Sequence, residues 1–135
     1  MSEEVPRLVA AINDNPDPAH GDLTPAVHAL VRMGLSALPA VLPLLESEDR
    51  WTRLRAQRVL EGATRAWVQA RTPARPITRR ADYEWLKLWR DNGDYQWEGP
   101  VEARRAAVGC WRSWVAAVIG GGPGSGQGGS AAGPG

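Results

Sequence analysis

Apolar residues recur at three- and four-residue steps through most of this chain, and no segment of useful length alternates apolar and polar at period two. That periodicity predicts an all-α fold. Val5, Leu8, Val9 and Ile12 mark a first helix over about residues 3–14. Asn15-Pro16-Asp17-Pro18 should stop it, because a residue preceding proline avoids the helical region. Thr24-Pro25 reads as an N-cap followed by proline at the first helical position, opening a helix through Val27, Leu30 and Val31 that ends at Gly34. Ser36 opens the next, with Leu38, Val41, Leu42, Leu44 and Leu45 apolar. Pro39 falls in its first turn, whereas Pro43 lies deeper and should kink the helix or loosen its last turn.

Ser47 is the expected cap of a further helix, with Glu48 and Asp49 in its first turn and Ala56, Val59, Leu60 and Ala63 as its inner stripe. Gly62 is a point where it could be interrupted; otherwise it continues to about Ala70. Residues 71–80 read as a loop on proline content, and residues 81–91 as a helix with Trp85, Leu88 and Trp89 on one side. Asn92-Gly93-Asp94 is a turn. Gly99-Pro100 announces a last helix with Val108, Trp111, Trp114, Val115 and Val118 on one face.

The chain has 135 residues, and its last sixteen hold nine of the fifteen glycines and no charge. Residues 120–135 therefore read as a disordered Gly-rich tail with almost nothing to bury. Residues 1–119 read as a single helical domain, long enough for one core. The net charge of +1 excludes a polyanionic or polycationic character for the chain as a whole. The lone Cys110 excludes an internal disulfide framework and a multi-cysteine zinc cluster. The acidic start Met1-Ser2-Glu3-Glu4 does not resemble a signal peptide, and no run reaches the roughly 18 apolar residues of a membrane span, so a cytoplasmic location is expected.

Short helices joined by connections of two or three residues are the pattern of stacked helical hairpins. The stripe Val27, Leu30, Val31 overlies Ala56, Val59, Leu60 at an offset of 29. Leu30-Val31-Arg32-Met33-Gly34-Leu35-Ser36-Ala37-Leu38-Pro39-Ala40-Val41-Leu42-Pro43-Leu44-Leu45 resembles the helix–Gly–helix text of HEAT repeats, and Asp49-Arg50-Trp51-Thr52-Arg53-Leu54-Arg55-Ala56-Gln57-Arg58-Val59-Leu60 resembles the opening helix of a following repeat. The resemblance covers about residues 23–63. Leu88-Trp89-Arg90-Asp91-Asn92-Gly93-Asp94-Tyr95, Glu102-Ala103-Arg104-Arg105 and Trp111-Arg112-Ser113-Trp114 are similar to the C-terminal segment of bacterial HEAT-like proteins. The resemblance implies a short HEAT-like stack of antiparallel helical hairpins, an α-solenoid fragment, closed by a Trp-rich cap over about residues 81–118. It also implies a scaffold or protein-binding role without catalysis.

Two usages are unusual. Five of seven tryptophans lie between residues 85 and 114, and Trp85/Trp89 and Trp111/Trp114 each share a helix face. In a chain without Phe such pairs read as core; the alternative is an aromatic groove for a peptide, sugar or base. Trp97, outside any helix and beside Tyr95, reads as semi-exposed. Arginine is the second: fifteen Arg stand against one Lys, and nine of them lie between residues 50 and 80 with the single acid Glu61. A helical wheel sets Arg58, Arg65, Leu54 and Trp51 away from Ala56, Val59 and Leu60, with Arg55 flanking them. The expected partner surface is this ridge with the following basic loop: Arg55, Arg58, Arg65, Arg75, Arg79 and Arg80, together with Trp97. Its occupant is an acidic protein or, as the alternative, nucleic acid or another phosphate-containing ligand. Structural pairing of these arginines with the acids elsewhere is the competing account.

Catalytic and metal-binding constellations are lacking, so neither a catalytic residue nor a metal ligand nor a cofactor is assigned. His20 and His28 have no local partner at metal spacing, and His28 is expected to border the core. Cys110 has no basic neighbour one turn away to lower its pKa. Asp91-Asn92-Gly93-Asp94-Tyr95 puts Gly93 and Tyr95 where a calcium loop needs acids.

Overall fold

The computed structural model describes residues 3–72 and 77–120, with the side chains of Ile77 and Thr78 left aside; the expected tail beyond residue 120 and Arg75 lie outside the described residues. Helices account for the regular structure, and there is no strand among the described residues. The order is α1 (Glu4–Ala10), α2 (Pro25–Met33), a 3-10 turn (Gly34–Ala37), α3 (Leu38–Val41), a second 3-10 turn (Leu42–Glu46), α4 (Arg50–Arg71), α5 (Ile77–Asp91) and α6 (Val101–Gly120).

α1 stops short of the expected boundary, and none of its residues is buried. Ile12, just beyond it, is the apolar residue that enters the core. Asn15 takes a left-handed φ of 57°, which completes the exit ahead of Pro16. The α2 cap is as the residues imply: the Thr24 hydroxyl accepts from the Val27 N–H at 3.2 Å, and Pro25 stands at the first position. The same hydroxyl donates to the buried Ile12 carbonyl at 2.9 Å, tying the two segments together.

Gly34 ends α2 with φ 74°, a conformation that costs little only without a Cβ. Beyond it, Pro39 and Pro43 each stand in a first turn, and the helix expected from Ser36 is divided into 3-10, α and 3-10 pieces. Pro25–Glu46 is, by length and composition, long and apolar enough to cross a membrane, contrary to the sequence expectation. Gly34 redirects its backbone, and Val27, Leu30, Leu38, Val41, Leu42 and Leu45 from this stretch are buried in the core.

α4 is the central element, packed against α2, α3, both 3-10 turns and α5. Its cap is Asp49 rather than Ser47: the Asp49 carboxylate accepts from the Thr52 N–H and the Thr52 hydroxyl, both at 2.8 Å. Two hydrogen bonds to its side chain hold the Asp49 pKa below the usual carboxylate value. The Ser47 hydroxyl instead accepts from the Asp49 N–H. Gly62 does not interrupt α4; a Cβ there would lie 2.8 Å from both γ-carbons of Val31, so this glycine permits α2 to approach.

The paired tryptophans pack as core, with Trp114 partly buried at its edge. Trp85, Trp89 and Trp111 are buried, and ring contacts run from Trp85 to Trp89 (5.3 Å), Trp111 (5.5 Å), Trp114 (5.4 Å) and Trp67 (5.0 Å). This chain of rings ties α5 and α6 to α4. Tyr95 is buried between them, its hydroxyl donating to the Leu45 carbonyl at 2.6 Å, and burial pushes its pKa up to about 12. The turn ahead of it, with Gly93 at φ 99°, lies so close to α6 that a Cβ would meet the Ala107 Cα at 2.7 Å.

Candidate interaction surface on the fourth and fifth helices

Arginine has five donors in a planar fork and cannot shed its charge, so its neighbours decide whether it holds the fold together or faces a partner. Arg55 is only 6% exposed. Its Nε and Nη2 donate to the Gly21 carbonyl at 3.1 and 2.7 Å, Nη1 donates to Asn13 Oδ1 at 3.0 Å, and its guanidinium sits 4.7 Å from the Trp51 ring centroid. It does not flank an outer ridge. It fastens the α1–α2 connection to α4, because that connection closes over the side of α4 that a wheel alone leaves facing solvent. Leu54, placed on the same outer side by the wheel, is also buried.

Arg58 is partly buried between Asp22 and Glu61, donating through Nε to Asp22 and through Nη1 to Glu61 at 3.0 Å. Burial works to lower its pKa, but the Asp22 hydrogen bond and the two carboxylate charges outweigh it and the net shift is upward. The same hydrogen bond holds Asp22 below the usual carboxylate value. Arg65 pairs with Asp82 at 3.1 Å and lies 4.1 Å over the Trp85 ring. Arg53, not singled out by its sequence position, donates to the carbonyls of Ser47, Glu48 and Trp97.

Trp97 is half-buried and held on α4. Its N–H donates to Gln57 Oε1 at 3.0 Å, its carbonyl accepts from Arg53 at 2.9 Å, and Arg50 stands 5.4 Å from its ring. Among the expected site residues, then, Arg55, Arg58, Arg65 and Trp97 are each engaged by separate partners within the fold.

Arg79 and Arg80 are placed differently. The expected loop is helical from Ile77, so both project from α5. Proline just ahead of a helix breaks no intrahelical bond, so proline content alone does not mark a segment as loop. Arg80 lies 3.6 Å from Glu84, a long and exposed contact. Arg79 is exposed and meets no acid among the described residues. Beside them, the end of α4 and α5 enclose a cleft of about 420 Å³. Trp67, Val68 and Leu88 form its apolar lining, Arg71, Arg80 and Lys87 its basic groups, and Glu84 and Asp91 its acids. Arg71 lies 4.1 Å over Trp67, and Lys87 pairs with Asp91 at 2.8 Å, a contact that raises the lysine pKa.

Sequence reasoning missed the outer face of α5. Tyr83 is 64% and Leu86 43% exposed, one turn apart on the face that Arg79 and Arg90 share. The signal was present in the period of residues 81–91, but a helix begun at 81 left Arg79 outside it.

The histidines and the cysteine form no site. His20 and His28 are exposed, so His28 does not border the core, and Cys110 is exposed. Among the described residues no group of three His, Cys, Asp or Glu side chains could hold a metal ion. No family model matches this chain, and neither a curated protein nor a solved structure matches it.

Proposed function

We propose that this chain is a non-catalytic protein-interaction module, a short HEAT-like stack of helical hairpins whose binding side is α5 with the cleft between it and the end of α4. The observation that carries this reading is the contrast among arginines. Arg53, Arg55, Arg58 and Arg65 have carbonyl or carboxylate partners, whereas Arg79 meets no acid among the described residues and stands on a helix that also exposes Tyr83 and Leu86. Exposed aromatic and aliphatic side chains beside uncompensated charge favour a partner that is apolar and acidic in part.

Nucleic acid is the weaker reading. It needs a continuous cationic track along the phosphates, and Arg55 and Arg58, which would supply part of it on α4, are engaged by Gly21, Asn13, Asp22 and Glu61. The test is capture by the immobilised full chain with and without nuclease, comparing the native protein with Arg79→Glu/Lys87→Glu, one change on the outer line of α5 and one in the cleft. The proposal expects nuclease-resistant capture of a defined protein that the double variant loses at unchanged helicity. Capture that vanishes with nuclease, or is indifferent to the variant, contradicts it.

A further inference from the structure

Four residues of α5 form one line along its outer face: Arg79, Tyr83, Leu86 and Arg90, at spacings of four, three and four. All four are exposed. The two arginines lie eleven residues apart, about 16 Å along the axis. The acids that could neutralise them are directed elsewhere. Asp82 pairs with Arg65, Glu84 lies against Arg80, and Asp91 pairs with Lys87. Neither Arg79 nor Arg90 meets an acid among the described residues. The apolar pair in the middle is therefore bounded at each end by a charge that the fold leaves uncompensated.

We propose that this line docks an amphipathic helix whose apolar ridge is bounded by carboxylates, the ridge lying on Tyr83 and Leu86 and the carboxylates reaching Arg79 and Arg90. The inference rests on the interaction reading above and names the chemistry of the partner. Charge complementarity selects an acidic occupant over a basic one. The aliphatic Leu86 and the gap between the arginines select a helix over a nucleic acid strand, whose closely spaced phosphates call for cations along the whole line. The four residues stand at i, i+4, i+7 and i+11, the spacing of a helix ridge that can pack against another helix.

The test is selection of displayed 18-residue peptides on the full-length chain. The peptides share a helix-forming frame with an apolar stripe, and their flanking positions vary among Glu, Gln and Lys. The proposal expects enrichment of Glu at both ends of the stripe. It expects the winning peptide to bind at least tenfold more weakly to Arg79→Glu/Arg90→Glu and to Tyr83→Ala/Leu86→Ala, with circular dichroism unchanged in both. Enrichment without bias toward Glu overturns it, as does a winning peptide that binds both variants as it binds the native chain. If the winners are lost on Arg71→Glu/Lys87→Glu alone, the α5 line is wrong while the interaction reading stands. If no peptide enriches, or a single-stranded oligonucleotide binds and is lost on the α5 variants, both fall.

Discussion

α4 and α5 each display arginines, and the two sets have opposite surroundings. On α4, Arg53, Arg55 and Arg58 reach backbone carbonyls, an amide and a carboxylate contributed by the α1–α2 connection, the turn before α4 and the 94–99 segment. On α5, Arg79 and Arg90 project past acids that are already paired. The guanidinium is the same in both places. The difference lies in whether chain distant in sequence closes over it. A local count of charge, such as the basic excess between residues 50 and 80, therefore says little about where a basic surface is.

The largest expected effect belongs to Arg55. Replacing it with Ala removes three hydrogen bonds and leaves the Gly21 carbonyl without its donors, a loss of about 3 kcal/mol in urea unfolding. Arg55→Lys keeps the charge but not the fork, and about half of that loss should remain. An Arg55→Ala protein as stable as the native chain would place Arg55 with the α5 set and break the comparison.

Tyr95→Phe extends it to a neutral group with an internal partner. Loss of the bond to the Leu45 carbonyl should cost about 1 kcal/mol at neutral pH. The folded-state pKa of about 12 lies above the ordinary tyrosine value of about 10, so this group's contribution is in place below pH 10 and lost as pH rises toward 12. The native chain should lose stability over that interval more steeply than Tyr95→Phe.

Asp22→Asn probes the partly exposed Arg58 pair, with an expected loss below about 1 kcal/mol near neutrality. Because the folded-state pKa of Asp22 is depressed, its contribution is present above the unfolded value near 3.9 and is lost as pH falls through the folded one. Native and variant stabilities should therefore converge in acid, measured by urea unfolding between about pH 5 and 2. The smallest effect is expected from Arg79→Glu and Arg90→Glu, within about 0.5 kcal/mol of the native chain in the same assay.

What could be read from the sequence follows the range of the interactions involved. Thr24-Pro25, the stripes that carry Val27 and Leu30 and then Val41 and Leu45, and the tryptophan pairs are local patterns, and each is found where its period or capping chemistry places it. The division of residues 34–46 into short pieces was half legible, since Pro43 announced a disturbance but not the 3-10 form it takes. Arg55 and Leu54 were misplaced because a helical wheel assumes one buried side, and α4 is covered from several. The start of α5 was obscured by proline content, which marks the approach to a helix as readily as a loop. The free arginines of α5 could not be distinguished from the engaged ones of α4 without knowing which acids lie across the fold.

The most direct test of the central contrast is a paired measurement on Arg79→Glu/Arg90→Glu: the urea midpoint, and affinity for an acid-flanked amphipathic peptide selected on the native chain. The account expects an unchanged midpoint and at least a tenfold loss of affinity. A lowered midpoint, or an affinity equal to that of the native chain, would contradict it by showing that the α5 arginines serve the fold or serve nothing.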